Sequence, residues 1–436
     1  MNRIKKFFSD LRHSPSLPLY ILAVVIVIAH LFLTKRFSDD IWFFSVLDGK
    51  DDLFGSLFDY LSTRYNSWTS RIPIELFLVL LVRVPLLWQI VDSVALIYIF
   101  FELSRLANPE RSLTKNIIIA LLLPVFPVWV LYEAGFVATS MNYIIPFACV
   151  MPTLSIIYRR SCSRKASRWE YAVALPLLVF GCFSEILCAL LLIVSIGAIV
   201  LRLFERKGLI WVELAVLAIS GALLLFHLTC PGNNVRLALE TLAWLPEHDS
   251  LNLVEKAIVG FNAMTKTLFF SPTNIIVLVM CIALLLGTFL KCKSYILRGI
   301  SVFVLAVTLI FGVLSPVLKL IAPFKALCGK IDGALKSTKM CTGSALMLIF
   351  AVFLLASMLV CLYHIISDKR QYFMLFFFLG TGAVCKISLG LSPTVWVSGA
   401  RGATYLYIAI AITIGALAYE ITNHFLSVNR NDKSAL

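Results

Sequence analysis

The stretch ALMLIFAVFLLASMLVCLYHII, Ala345–Ile366, contains no Asp, Glu, Lys or Arg. A helix needs about 20 such residues to cross roughly 30 Å of hydrocarbon, and this run supplies them. LYILAVVIVIAHLFL, Leu19–Leu33, has the same character near the start of the chain. Neither run alternates as a barrel strand would. Both read as helices, which satisfy their own backbone polar groups in lipid. Composition agrees. The chain is 60% hydrophobic and 14% charged, where a soluble domain is about half apolar and about a quarter charged. The sequence is therefore that of an all-α integral membrane protein.

Outward from these runs we place about twelve spans, give or take one. They lie near 17–34, 84–104, 116–132, 142–158, 171–183, 186–203, 209–227, 273–290, 300–316, 343–366, 372–388 and 403–422. No tandem repeat or linker is visible, so 1–436 reads as a single polytopic membrane domain. Ile72–Val82 is ambiguous, being apolar but short, with Arg83 and Pro85 behind it. If it spans, the basic loop Ser104–Lys115 moves outside. A half-helix packed within the outer leaflet is the preferred reading.

A net charge of +14 could suit nucleic acid. The basic residues, however, sit in short clusters between apolar runs, which is the positive-inside pattern. Arg159, Arg160, Arg164, Lys165 and Arg168 form one cluster, Arg202, Arg206 and Lys207 a second, and Lys291, Lys293 and Arg298 a third. With the basic N-terminus they define a cytoplasmic face that also takes the tails 1–16 and 423–436. MNRIKKFFSDLRH before an apolar run looks like a signal peptide. The run continues into Thr34-Lys35-Arg36 with no small-residue cleavage site, so a retained signal anchor is the better reading.

The outer face then receives 35–71, 228–272, 317–342 and 389–402. DLFGSLFDYL (Asp52–Leu61) has apolar residues at helical spacing and reads as an amphipathic helix lying in the interface. Loop 317–342 holds Lys319, Lys325, Lys330, Lys336 and Lys339. Lysines outside run against the charge rule, so either this loop binds something anionic or the assignment fails there.

The eleven cysteines are mostly scattered through apolar runs, without CxxC, HExxH or a phosphate loop. They read as small buried side chains, and the chain shows no nucleotide fold. Candidate chemistry lies on the outer side. Asp39-Asp40 follows the first span directly. A carboxylate there is partly desolvated and can act as a general base or hold a metal; the plainer reading is a solvated loop start. RYNSWTSR ends the same loop with Arg64, Trp68 and Arg71. Arg71 and Glu75 are spaced to pair on one helix face, yet arginine is also the planar ligand for phosphate oxygens. Trp68 equally suits an interfacial anchor.

Within EAGFVATSMNYIIP (Glu133–Pro146), Asn142 and Tyr143 read as facing an outer cavity. Glu185, in FSEIL, sits where the chain re-enters the membrane, a place where an acid is costly unless paired or wet. CPGNNVRLALE (Cys230–Glu240) begins with turn chemistry and puts Arg236 one helical turn from Glu240. GARGATYL (Gly399–Leu406) places Arg401 just before the last span.

A first span that ends outside, an Asp pair directly after it and an interfacial helix in the first loop resemble the GT-C-type glycosyltransferases. The likeness is nearest to the bacterial Gtr-type polytopic glucosyltransferases. It is carried by SDDIWFF (Ser38–Phe44), RYNSWTSR, TSMNYIIP (Thr139–Pro146), FSEIL, PGNNVR (Pro231–Arg236) and GARGATYL. These pieces extend over nearly the whole chain, each short and degenerate. The resemblance implies a GT-C-like fold in the bacterial cytoplasmic (inner) membrane. It also implies transfer of a sugar, glucose first among candidates, from a polyprenyl-phosphate donor to a cell-envelope glycan or glycolipid on the extracytoplasmic face. It carries the catalytic carboxylate to Asp39 or Asp40 only.

Our own reading adds Arg71, Arg236, Arg401, Lys325 and Lys330 for the donor phosphate. It adds Trp68, Asn142, Tyr143 and Glu185 for acceptor or sugar. No cofactor is required, and a divalent metal would fit the Asp pair without being needed. The chain departs from many relatives in its short second apolar segment and in showing no soluble C-terminal domain. The rival classes are a membrane transporter and a lipid-linked glycan flippase or polymerase. Asp92 and the Arg83–Pro85 break hint at the first, and the lysine-rich loop suits a polymerase.

Overall fold

The computed structural model describes residues 14–127, 132, 134–162, 164–206, 210–338 and 341–434, with side chains as far as 426. The tail 1–13, Glu133, Lys207 and Lys339 lie outside the described residues. Among those described there are helices and no strand. Eight helices are long and apolar enough to cross a membrane: Pro85–Ala107, Phe136–Ser161, Glu185–Phe204, Trp211–Thr229, Tyr295–Val313, Thr342–Ile365, Lys369–Leu391 and Arg401–Leu426. This is the architecture of an all-α, multi-pass membrane protein. The other four expected segments are also helical but shorter: Leu17–Leu31, Leu113–Val125, Arg168–Gly181 and Ile275–Lys291.

Local chemistry explains several boundaries. Leu113–Ala120 stops four residues before Pro124, whose ring would clash with the Ala120 carbonyl. Phe126, ahead of Pro127, is extended, as the residue before a proline prefers. Ile72–Leu81 is a ten-residue helix, about 15 Å long at 1.5 Å per residue, half the hydrocarbon thickness. Leu53–Ser67 is a helix capped by Asp52, whose side chain accepts the Gly55 N–H, and none of its residues is buried.

Two expected loops contain helices. Pro231–Trp244, Pro246–Ser250 and Leu253–Phe269 fill most of 228–272, and Ala322–Lys336 fills 317–342. Asn252 and Glu255 form a capping box at the start of one, and Pro323 stands in the first turn of another. A search for long apolar runs misses such amphipathic pieces.

The chain divides into two compact units, one of 1–120 with 129–239 and one of 121–128 with 240–436. In the first, Phe136–Ser161 is the central helix. Its most apolar window is 72% buried, against 22–44% for Pro85–Ala107, Glu185–Phe204 and Trp211–Thr229. Those three turn Leu86, Ile90, Val94, Ile196 and Leu225 outward, as lipid-facing helices do. At one end of this unit ion pairs gather. Glu170 binds Arg159 at 2.8 Å and also Arg105, and Glu213 binds Arg160 at 3.1 Å. The Ser167 N–H also donates to Glu170, at 2.6 Å. Two arginines of the expected cytoplasmic cluster are thus already paired.

In the second unit Arg401–Leu426 is the central helix, with a 72% buried window against 28–33% in Tyr295–Val313, Thr342–Ile365 and Lys369–Leu391. Helix Leu253–Phe269 presses on the end of Lys369–Leu391. A Cβ on Gly260 would fall 1.9 Å from the Ile387 carbonyl oxygen, and one on Gly390 would fall 2.0 Å from that of Lys256.

Candidate functional site

The first unit gathers polar side chains at the end opposite those ion pairs. The chain leaves helix Leu17–Leu31, turns at Ser38 (φ 50°) and begins helix Asp39–Ser45. Asp39 is exposed, and its N–H donates to the Ala134 carbonyl at 3.1 Å. Asp40 is only 1% exposed. Its carboxylate accepts the N–H groups of Phe136, Val137 and Ala138 at 2.7, 3.3 and 2.9 Å. These are orphan donors of a helix start, and Asp40 caps them from a distant segment. Gly135 makes room at φ 120°, since a Cβ there would lie 2.6 Å from Asp40 Oδ1. Burial pushes the Asp40 carboxyl up, the three N–H groups pull it part of the way back, and the neighbouring Asp39 charge adds to the rise. The two consecutive acids therefore differ in kind. One is a buried cap and the other faces outward.

The capped helix continues through a π-helical turn, Ser140–Ile144, of the kind often found at functional sites. Asn142 on this turn donates to the Ala138 carbonyl at 2.8 Å and accepts from Arg71 Nη1 at 2.9 Å. Arg71 Nε donates to Glu185 Oε2 at 2.7 Å. Ser70 lies beside them, its Oγ 2.6 Å from His227 Nδ1, 3.4 Å from Glu185 Oε1 and 3.1 Å from Asn233 Nδ2. His227 Nε2 is 2.9 Å from the Cys182 carbonyl. A carbonyl only accepts, so Nε2 carries a proton, and in the neutral ring Nδ1 accepts from the Ser70 hydroxyl.

Arg71, Asn142 and Glu185, singled out separately in the sequence, thus meet in one hydrogen-bonded cluster, together with Asn233 of PGNNVR. Ser70 and His227 were missed. His227 had a signal, an ionisable side chain inside the apolar run ALLLFHLT. Ser70 had none.

Arg71 does not pair with Glu75. It stands just ahead of helix Ile72–Leu81 with non-helical backbone, so it is off the face that carries Glu75. Glu75 is held instead by Arg64 at 2.8 and 3.0 Å and by the Tyr60 hydroxyl. Trp68 is half-buried, with the guanidinium carbons of Arg64 and Arg236 5.3 and 5.5 Å from its ring. Tyr143 is half-buried on the π-helical turn.

Gly232 sets the approach of PGNNVR to this region. A Cβ there would lie 2.5 Å from the Tyr65 carbonyl oxygen and 2.6 Å from the Trp68 nitrogen, both backbone atoms that cannot swing away. Gly232→Ala gains up to about 1 kcal/mol of helix propensity but overpacks a backbone contact at about 1–3 kcal/mol. The expected outcome is a lower melting temperature, read by thermal unfolding of the purified protein in detergent. An unchanged or higher value would mean that the two segments are not in contact.

Next to the cluster lies a second polar group within the apolar helices. His30 Nε2 is 2.7 Å from Asp92 Oδ2, the Ser140 hydroxyl donates to Asp92 Oδ1, and the Tyr132 hydroxyl donates to Oδ2 at 3.3 Å. Asp92 is 0% exposed.

The remaining sequence candidates belong to the second unit. Arg401 opens the turn Arg401–Ala403, and Lys325 and Lys330 are exposed on Ala322–Lys336. Among the described residues no three His, Cys, Asp or Glu side chains gather as a metal site. No protein-family model, curated protein or solved structure matches the chain.

Proposed function

We propose that the protein is a GT-C-like glycosyltransferase with twelve spans, set in a bacterial cytoplasmic membrane with both termini in the cytoplasm. It moves a sugar from a polyprenyl-phosphate donor to a glycan or glycolipid on the extracytoplasmic face. One observation carries this reading. Arg71, Asn142, Glu185 and Asn233 come from four segments and converge on one cluster, which the turn 134–142 joins to Asp39-Asp40. A solvated set of loop charges has no reason to do so.

In this mechanism Asp39 is the general base. It takes the proton of the acceptor hydroxyl, whose oxygen attacks the anomeric carbon as the bond to the phosphate oxygen breaks. The electron pair leaves with the phosphate, and a single displacement inverts the anomeric centre. Negative charge grows on the leaving phosphate, where a preorganised guanidinium is most effective. The Arg71 fork is engaged by Glu185 and Asn142, so it positions the cluster, and Arg236 beside Trp68 is the phosphate ligand. Asn142, Tyr143 and Trp68 bind sugar or acceptor. Arg401, Lys325 and Lys330 take no part in this proposal.

A second reading, a proton-coupled transporter, is favoured by the His30–Asp92 pair inside the apolar helices, since such residues often mark proton pathways. Proteoliposomes given radiolabelled polyprenyl-phosphate-sugar and envelope glycolipids separate the two. Label appearing on the acceptor supports the transferase. Proton-dependent solute uptake without transfer supports the transporter.

A further inference from the structure

We propose that Ser315–Lys336 lies along the bilayer surface and binds anionic phospholipid headgroups through Lys319, Lys325 and Lys330. This inference does not depend on the transferase reading. After helix Tyr295–Val313 the chain makes the short helix Ser315–Leu318, turns at Lys319–Ile321 and enters helix Ala322–Lys336. Phe324 stacks on Phe311 with ring centres 5.5 Å apart, and Leu335 is the one buried residue of the longer helix.

Large apolar side chains in this segment stand outward: Val317 is 65% exposed, Leu320 85%, Ile321 57% and Leu327 45%. The three lysines interleave with them and are exposed as well. None of the three makes a side-chain hydrogen bond or ion pair with a described residue. The single acid, Asp332, is taken up by Lys266 and by Lys336 at 3.1 Å.

No uniform medium suits this pattern. Water would leave four bulky apolar groups exposed, and hydrocarbon would strip three ammonium groups of their hydration. A soluble acidic polymer would match the lysines and ignore the apolar groups. The headgroup boundary satisfies both sets, because apolar side chains insert while lysines reach up to phosphate oxygens. It also accounts for a lysine-rich segment that the charge rule alone does not explain. Anionic rather than zwitterionic headgroups follow from the unpaired positive charge.

The test uses the full chain in nanodiscs. Leu320→Cys and Leu327→Cys, each on a cysteine-depleted background, carry an environment-sensitive fluorophore. They are challenged with phosphatidylcholine or phosphatidylglycerol brominated near the headgroup or deep in the chain. The expected result is quenching by the shallow bromines, with phosphatidylglycerol favoured. That preference should fall by about fivefold for each lysine changed to glutamine among Lys319, Lys325 and Lys330.

These are surface changes, so the melting temperature should hold and act as the folding control. Absence of quenching by any brominated lipid would overturn the proposal. So would equal quenching by both lipids that the triple variant leaves unchanged. Displacement of brominated phosphatidylglycerol by a small mole fraction of isoprenyl phosphate would assign the lysines to the sugar donor and also overturn it.

Discussion

Asp92→Ala is expected to destabilise the protein by about 3–5 kcal/mol, the cost of removing one partner from a buried pair. Asp92 is completely buried and receives His30, Ser140 and Tyr132 on its two oxygens. His30 Nδ1 is 2.8 Å from the Ile26 carbonyl, so that nitrogen keeps its proton and Nε2 shares one proton with Asp92. Alanine takes the carboxylate away from the Ser140 and Tyr132 hydroxyls and from the His30 imidazole at once. Asp92→Asn should cost less, because the amide oxygen still accepts from a hydroxyl and its NH2 can donate to a neutral imidazole.

The decisive comparison is His30→Leu with Asp92→Leu. Apolar residues of similar volume often replace a buried ion pair without loss, so the double variant should recover the part of the Asp92→Ala loss that comes from stranding His30, while the Ser140 and Tyr132 hydroxyls still lack their acceptor. Thermal unfolding in detergent reads all three variants. If Asp92→Ala melts with the parent, the pair is not formed. The same variants report on the neighbouring cluster. Ser140 and Asn142 share one π-helical turn, so loss of Asp92 should also loosen the grip of Asn142 on Arg71.

The two polar clusters were legible to different degrees. Asp92 and Glu185 are acids within or at the edge of apolar runs, and that expense alone marks them. Their partners were not legible. Arg71 reaches a glutamate 114 positions away, whereas spacing could offer only Glu75, four positions on. Local rules see i,i+4 neighbours and cannot see which distant helix start will face a loop.

Spans were read from hydropathy because lipid imposes length and composition at once. The helices Leu253–Phe269 and Ala322–Lys336 were not, since their apolar residues occupy one face and no window becomes uniformly apolar. Asp39-Asp40 shows the limit most clearly. Adjacent helical residues point about 100° apart, so two identical letters acquire opposite environments, and only the fold says which acid turns inward.

That division predicts the largest effect on activity. On the transferase reading proposed above, Asp39→Asn is expected to reduce transfer by about 10²–10⁴-fold, the range for a lost general base. The amide is isosteric with the carboxylate and stands at an exposed position, so membrane insertion, yield and melting temperature should stay at the parent level. Asp40→Asn should behave in the reverse order. Its carboxylate accepts three backbone N–H groups, and an amide has one acceptor oxygen and turns an NH2 toward donors. Bonds of this charge-assisted kind contribute about 1.5–3 kcal/mol each, so the variant should melt lower, and any fall in transfer should track the fraction that remains folded. Asp39→Glu separates the roles further, because a base that must reach a hydroxyl tolerates a longer arm better than it tolerates loss of the carboxylate. Partial activity in Asp39→Glu beside near-total loss in Asp39→Asn is the expected pattern. Full transfer by Asp39→Asn, with Asp40→Asn inactive yet as stable as the parent, would move the base to Asp40 and require the 136–138 cap to open during the reaction.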